Sequence, residues 1–137
     1  MAEVVARQMA ASTGLSDKVT FASAGTHASH GGERPDPRAI ATLIRRDYKV
    51  GKTRSRKVLL ADFQNFDVIL AMDNANLAEL HRICPPEHAH KLALFLADVD
   101  GLAQSEVPDP YFGSTQGFER VMDLCETGAR ALIKRLG

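Results

Sequence analysis

The sequence predicts an α/β domain with a parallel sheet. Segments of β-branched or continuously apolar residues alternate with segments in which apolar residues recur every three to four positions. Short loops rich in glycine, proline and polar residues separate them. Such alternation is typical of right-handed strand–helix–strand units, which place helices against a parallel sheet.

The composition predicts a single globular domain over residues 1–137. Lysine plus arginine and aspartate plus glutamate each number 17, so a nucleic-acid partner is not expected. No apolar run approaches the roughly 20 residues that span a bilayer, and the first residues lack the pattern of a signal peptide, so no membrane association is expected. The two cysteines fit a reducing compartment, and a cytoplasmic location follows.

The first 25 residues predict a helix and then a strand. Met1, Val5 and Met9 share one helical face within residues 1–13, and Gly14 is a plausible end. The periodic pattern already runs at residue 1 without a capping side chain before it, which suggests that the chain begins inside a structure. Residues 19–24 are β-branched and aromatic enough for a strand, and residues 25–35 predict a loop.

The rest of the chain predicts four helices and two strands. Asp36 and Pro37 are typical of a helix start. Asp73 follows the strand predicted over residues 66–72 and can cap the next helix. The four cations of residues 50–58 predict a solvated edge, with the rim of an anion site as the alternative. The predicted helices cover residues 36–48, 59–66, 74–83 and 117–136, and the predicted strands cover residues 66–72 and 91–96.

The candidate catalytic residue is Asp109, in the stretch Val107-Pro108-Asp109-Pro110-Tyr111-Phe112-Gly113. Each proline fixes its own φ and biases the preceding residue towards an extended conformation, so the carboxyl group is held stiffly beside two aromatic rings. A stiff carboxylic acid in such a place suits protonation of a leaving group. The alternative is a proline-stiffened surface turn that Gly113 closes.

The sequence predicts no metal site or cofactor. His81, Cys84, His88 and His90 lie close together, but two prolines intervene and the spacing matches no common zinc site. A Cys-x5-Arg phosphate loop is absent, because His90 and Ala131 stand six residues after Cys84 and Cys125. Both cysteines are predicted to be small buried hydrophobes on helical faces.

Several stretches, in order along the whole chain, resemble the low-molecular-weight protein-tyrosine phosphatases. The resemblance implies a three-layer fold in which helices flank a four-stranded parallel sheet. The stretches are Met1-Ala2-Glu3, Ser23-Ala24-Gly25-Thr26, Pro35-Asp36-Pro37-Arg38, Asp62-Phe63 with Phe66-Asp67, Leu70-Ala71-Met72-Asp73 with Asn76-Leu77, and Val107 to Tyr111 with Gly113 and Phe118-Glu119.

The family resemblance implies hydrolysis of phosphotyrosine through a phosphocysteine intermediate, without metal. Asp109 matches the general acid and base, and Tyr111 and Phe112 match the aromatic side of the substrate slot. Ser23 matches a serine that supports the phosphate loop. Where relatives commonly have an aromatic residue on the opposite wall this chain has Ser29, and His30 matches a variable position that tunes substrate choice.

The family's first strand and its Cys-x5-Arg-Ser-Pro loop have no counterpart in these residues. On this resemblance the domain is expected to be incomplete at its N-terminus by about fifteen to twenty residues, one strand plus its loop. In the family that strand is interior, between the segments that match residues 19–24 and 66–72. Its absence is expected to leave unpaired sheet edges and exposed apolar faces on Val68, Ile69 and the first helix, and therefore to favour self-association.

Three functional hypotheses remain open from the sequence. The first is a protein-tyrosine phosphatase whose intact form is active and whose 137 residues alone are not. The second is a non-catalytic relative that binds phosphotyrosine or protein, and the third is arsenate-reductase-like thiol chemistry. The resemblance implies phosphotyrosine proteins as substrates, with bacterial tyrosine kinases as candidate partners.

Overall fold

The computed structural model describes residues 1–15, 17–25, 37–51, 56–97, 99, 101–102, 105–108 and 115–136. Within these residues, five α-helices occupy Ala2–Ser12 (α1), Pro37–Arg45 (α2), Leu60–Asn65 (α3), Asn74–Ile83 (α4) and Thr115–Leu136 (α5). Two strands occupy Ile69–Ala71 (β1) and Leu92–Leu94 (β2), and a 3₁₀-helix occupies Pro86–Lys91.

The two strands form a parallel pair in which Ile69 lies opposite Leu92 and Ala71 lies opposite Leu94. The ladder continues one step further, because the Phe95 N–H donates to the Ala71 carbonyl at 2.7 Å. Both strands are shorter than predicted, since apolar content extends beyond the residues that make ladder hydrogen bonds. The predicted α/β class with a parallel sheet is confirmed.

The sheet separates two apolar clusters, which gives three layers. Leu70 packs against the larger cluster, formed mainly by α1, α5 and the segments around Val50 and Val107. Its neighbours Ile69 and Ala71 belong to the smaller cluster, with Phe63 of α3 and residues of α4. Successive side chains of a strand point to opposite faces, so β1 contributes to both cores.

Helix α1 packs along α5 and buries Val4, Val5, Ala6 and Ala10. The expectation that its apolar face is exposed is therefore wrong, because α5 covers that face. The helix has no side-chain cap at Met1, as expected, and it ends before Gly14, whose φ is +79°. The Leu15 N–H then donates to the Ala10 carbonyl at 2.8 Å, which closes the last turn.

The predicted strand at residues 19–24 is wrong, because these residues form no strand in the described part of the chain. Gly25 alone makes a β-bridge, to Lys57, with the Gly25 N–H donating to the Arg56 carbonyl at 2.8 Å. The Phe21 carbonyl accepts instead from the Arg7 side chain at 3.3 Å. β-Branched composition favours an extended backbone, but a strand also needs a hydrogen-bonded neighbour.

The remaining helices agree with the prediction to within a few residues. Helix α2 ends three residues earlier than expected, and α5 begins two residues earlier. The 3₁₀-helix was not predicted: Pro86 occupies its first turn, and so short an element carries no periodic signal. In the described part of the chain, no helix has the length and hydropathy to cross a membrane.

Candidate active site

The predicted site residues fall mostly outside the described part of the chain. Ser23 and the residues immediately before Asp109 are described, and they show how the chain approaches the candidate site. The site predictions that lie outside the described residues are Ser29, His30, Asp109, Tyr111 and Phe112.

The hydroxyl of Ser23 is bound to the first turn of α1. It donates to Glu3 Oε1 at 2.5 Å, and the other oxygen of Glu3 pairs with Arg7 one turn later in the helix. Glu3 therefore links α1 to the segment that carries Ser23. Sequence reasoning missed this role for Glu3, although its spacing of four residues from Arg7 is typical of a helical ion pair.

The segment that leads to Asp109 is attached to the carboxyl end of β1. The Val107 N–H donates to the carbonyl of Met72, the residue after β1, at 2.7 Å, and the Val107 side chain is buried in the larger core. One residue earlier, the Glu106 carboxylate accepts a 2.7 Å hydrogen bond from the N–H of Asn74, the first residue of α4. Two consecutive residues thus bind two neighbouring points of the β1–α4 connection.

An open cleft of about 420 Å³ lies at this connection. Its lining comprises Asp73 and the four residues that precede Asp109 in sequence, Ser105, Glu106, Val107 and Pro108. Ligands of open α/β sheets bind beyond the carboxyl ends of the strands, which is where this cleft lies.

Asp73 caps α4, as the sequence predicts. Its Oδ1 atom accepts from the Asn76 N–H at 2.7 Å, and its backbone is extended, as is usual for a capping residue. Together with Glu106, it places two carboxylates on the N-terminal N–H groups of the helix. Local sequence patterns do not predict the contact between Glu106 and Asn74, because 32 residues separate them.

The two cysteine thiols have little nucleophilic character. Cys125 is buried in the larger core, and burial raises the pKa of its thiol to about 11. Cys84 is half-buried rather than buried as predicted, because it follows the last residue of α4. Its thiol donates to the Pro85 carbonyl at 3.3 Å, and desolvation again raises its pKa. Both groups are thiols rather than thiolates at neutral pH.

The described residues offer no group of three or more histidine, cysteine, aspartate or glutamate side chains that could hold a metal ion. His81, Cys84, His88 and His90 are all described, and they do not form such a group.

The family model of the low molecular weight phosphotyrosine protein phosphatases matches residues 1–137. A phosphatase of this name from Schizosaccharomyces pombe is 39% identical over 119 residues, which cover 86% of this chain and 76% of the relative. A low molecular weight protein-tyrosine-phosphatase from Streptomyces coelicolor is 34% identical over 136 residues, which cover 97% of this chain and 82% of the relative.

Solved structures give the same result for the fold. A protein tyrosine phosphatase from Entamoeba histolytica superimposes with a TM-score of 0.94 at 38% identity, covering 98% of this chain and 86% of the other. A low molecular weight phosphotyrosine phosphatase from Vibrio cholerae superimposes with a TM-score of 0.92, also at 38% identity, with the same coverage of both chains. The chain therefore belongs to the low molecular weight phosphotyrosine protein phosphatase family.

Proposed function

We propose that the active protein hydrolyses phosphotyrosine esters through a phosphocysteine intermediate, with Asp109 as general acid and then general base. A cysteine thiolate attacks phosphorus, the bond to the phenolic oxygen breaks, and the Asp109 carboxyl group protonates that oxygen. Water then attacks the phosphocysteine while the Asp109 carboxylate accepts its proton, which releases phosphate and restores the thiolate. Phosphotyrosine proteins are the substrate class that the family supports.

The observation that carries this proposal is the attachment of the segment before Asp109 to the carboxyl end of β1. Val107 and Glu106 bind Met72 and Asn74, so the chain reaches Asp109 from a fixed point at the edge where α/β proteins bind ligands. Tyr111 and Phe112 follow in sequence and are proposed to stack on the aryl ring of the substrate. Ser29 and His30 are proposed for the opposite side of the slot, and Ser23 for loop support.

We further propose that the 137 residues alone are inactive. They contain no Cys-x5-Arg sequence, and both of their cysteines have raised thiol pKa values. The same raised values disfavour arsenate-type thiol chemistry, which needs nucleophilic thiolates. Catalysis would then require a Cys-x5-Arg phosphate-binding loop, which these 137 residues do not contain.

The test is to measure aryl-phosphate hydrolysis before and after the loop is supplied. The chain is compared with a fusion in which a strand followed by a Cys-x5-Arg-Ser-Pro loop, the family's pattern, precedes Met1. We expect background turnover for the chain and clear turnover for the fusion, reduced about 10²-fold or more by Asp109→Asn.

The matched control is Asp17→Asn, which changes an exposed aspartate outside the candidate site. Turnover by the chain alone that depends on Asp109 would refute the proposed inactivity. A folded fusion that binds a phosphotyrosine peptide but never turns it over would favour the non-catalytic alternative.

Partners and location belong to the same proposal. Bacterial tyrosine kinases are the proposed physiological partners, and a cytoplasmic location is proposed from the cysteine content. We also propose self-association through unpaired sheet edges, since β1 pairs with β2 and residues 19–24 form no strand in the described part of the chain. Sedimentation velocity should show dimers that dissociate on dilution, whereas a monomer at all concentrations would contradict self-association.

A further inference from the structure

Glu106 takes no part in the bond changes of the proposed reaction, but its side chain makes a specific contact with α4. Its carboxylate accepts from the N–H of Asn74 at 2.7 Å, across 32 residues of sequence. Because Asn74 is the first residue of α4, the carboxylate lies at the positive end of the helix dipole. The hydrogen bond is charge-assisted, and bonds of this kind are stronger than those between neutral groups.

The position of this contact matters because of the residues that follow it. Val107, next in sequence, is buried and donates to the Met72 carbonyl at 2.7 Å. Prolines at 108 and 110 fix their own φ angles and restrict the residues before them, Val107 and Asp109. Few free dihedral angles separate the Glu106 contact from Asp109, so loss of that contact is expected to alter the position of Asp109.

We infer that Glu106 is a positioning residue that holds the segment carrying Asp109 against the start of α4. The inference rests on the proposed role of Asp109. Asp73 already accepts from the Asn76 N–H at 2.7 Å, so α4 has its own cap, and the Glu106 contact adds an attachment between two separate segments. Its expected effect is on the geometry near Asp109 and only secondarily on the stability of α4.

The test uses the only two tyrosines of the chain, Tyr48 and Tyr111. Tyr111 stands two residues after Asp109, whereas Tyr48 lies beyond α2 and donates to Glu126 of α5. Incorporated fluorotyrosine gives one fluorine resonance for each, and Tyr111→Phe assigns them. Glu106→Ala is expected to shift or broaden the Tyr111 resonance and to leave the Tyr48 resonance unchanged.

Two variants sharpen the result. Glu106→Gln keeps an oxygen acceptor for the Asn74 N–H and should restore most of the Tyr111 resonance. Glu87→Ala, which removes an exposed glutamate of the 3₁₀-helix, should affect neither resonance. An unchanged Tyr111 resonance in Glu106→Ala would overturn the inference, and so would equal changes in both resonances, since these indicate a general loss of structure.

This experiment needs no turnover, so it separates the inference from the proposed function. If Tyr111 responds and the loop-bearing fusion is inactive, the proposed function fails and the positioning role of Glu106 stands. In an active fusion, Glu106→Ala should lower kcat about tenfold with little change in KM. The acid protonates the leaving group in the transition state and contributes little to substrate binding, so its misplacement slows the chemical step. A raised KM with unchanged kcat would contradict positioning of the acid.

Discussion

The ring of Phe95 lies against the backbone of Gly128, so closely that a Cβ atom on Gly128 would be 2.4 Å from Phe95 Cε1. Phe95 directly follows β2, and Gly128 lies in the middle of α5. The contact therefore sets how near the longest helix approaches the sheet. Glycine is unfavourable inside a helix, and its presence here is explained by the space that the ring occupies.

Gly128→Ala is expected to destabilise the domain by about 1–3 kcal/mol, because the added methyl group overpacks the core against a buried ring. Urea denaturation would measure the change in the free energy of unfolding. The matched control is Gly117→Ala in the same helix, where a Cβ would meet nothing within 4 Å. That change should be neutral or stabilising by up to about 1 kcal/mol, and a stabilising effect of Gly128→Ala would contradict the packing described.

Arg46 joins α2 to α5 through three carboxylates. Its guanidinium group contacts Glu119 at 2.7 Å, Asp123 at 2.9 Å and Glu126. Burial lowers the pKa of Arg46, but the hydrogen bonds to these carboxylates outweigh that effect and hold it above its ordinary value. Hydrogen bonds from Arg46 and from Arg45 in turn hold the pKa of the Glu119 carboxyl below its ordinary value.

Arg46→Met is expected to lower the free energy of unfolding at neutral pH by about 1–2 kcal/mol, since it leaves three carboxylates close together. The pKa of Glu119 is lower in the folded state than its ordinary value of 4.5. Its ion pairs therefore stabilise the fold fully at pH values above 4.5, and this stabilisation is lost as the pH falls through the pKa of the folded state. The difference between wild type and variant should therefore shrink in acid. Arg45→Met, at a more exposed side chain, should have the smaller effect, and equal losses would argue against the network.

The sequence predicted those features whose cause is local. The cap at Asp73 and the helix end at Gly14 follow from neighbouring residues, and both are observed. Residues 19–24 were predicted as a strand but form none in the described part of the chain, because composition does not report whether a pairing partner is present.

The contacts that shape the candidate site connect residues far apart in sequence. Glu106 and Asn74 are separated by 32 residues, and Ser23 and Glu3 by 20. Local propensity and periodicity carry no information about such pairs, so only the tertiary structure reveals them. The proline-stiffened approach to Asp109 was visible in the sequence, but its attachment to α4 was not.

Neither cysteine is expected to behave as an activated nucleophile. Burial raises the thiol pKa of Cys125 to about 11, and desolvation also raises that of Cys84. In the folded chain at neutral pH, iodoacetamide should modify both more slowly than in the urea-unfolded chain, with Cys125 the slower. Mass spectrometry of each cysteine peptide would give the two rates. Rapid modification of either thiol in the folded chain would contradict the proposed absence of a nucleophile.

Asp47 occupies a position that favours glycine. It follows α2 with a φ of +65°, and the chain reverses there through hydrogen bonds from the Tyr48 N–H to the Leu43 carbonyl and from the Asp47 N–H to the Ile44 carbonyl, each 3.0 Å. Asp47→Gly is expected to stabilise the domain by about 0.5–1 kcal/mol, because it relieves the left-handed backbone. Thermal unfolding would detect the gain. Asp47→Ala should bring none, and a gain of equal size there would exclude backbone strain as the cause.

Tyr48 should ionise only in strongly alkaline solution. Burial, followed by its 2.7 Å hydrogen bond to Glu126, raises the pKa of Tyr48 to about 12 from its ordinary value of 10.0. Because the folded state holds the phenol neutral, this stabilisation is complete below pH 10.0 and is lost as the pH rises towards about 12. Phenolate absorbance in a Tyr111→Phe chain isolates this titration. Glu126→Gln should lower the midpoint by removing the adjacent charge, and an unchanged midpoint would show that burial alone sets the pKa.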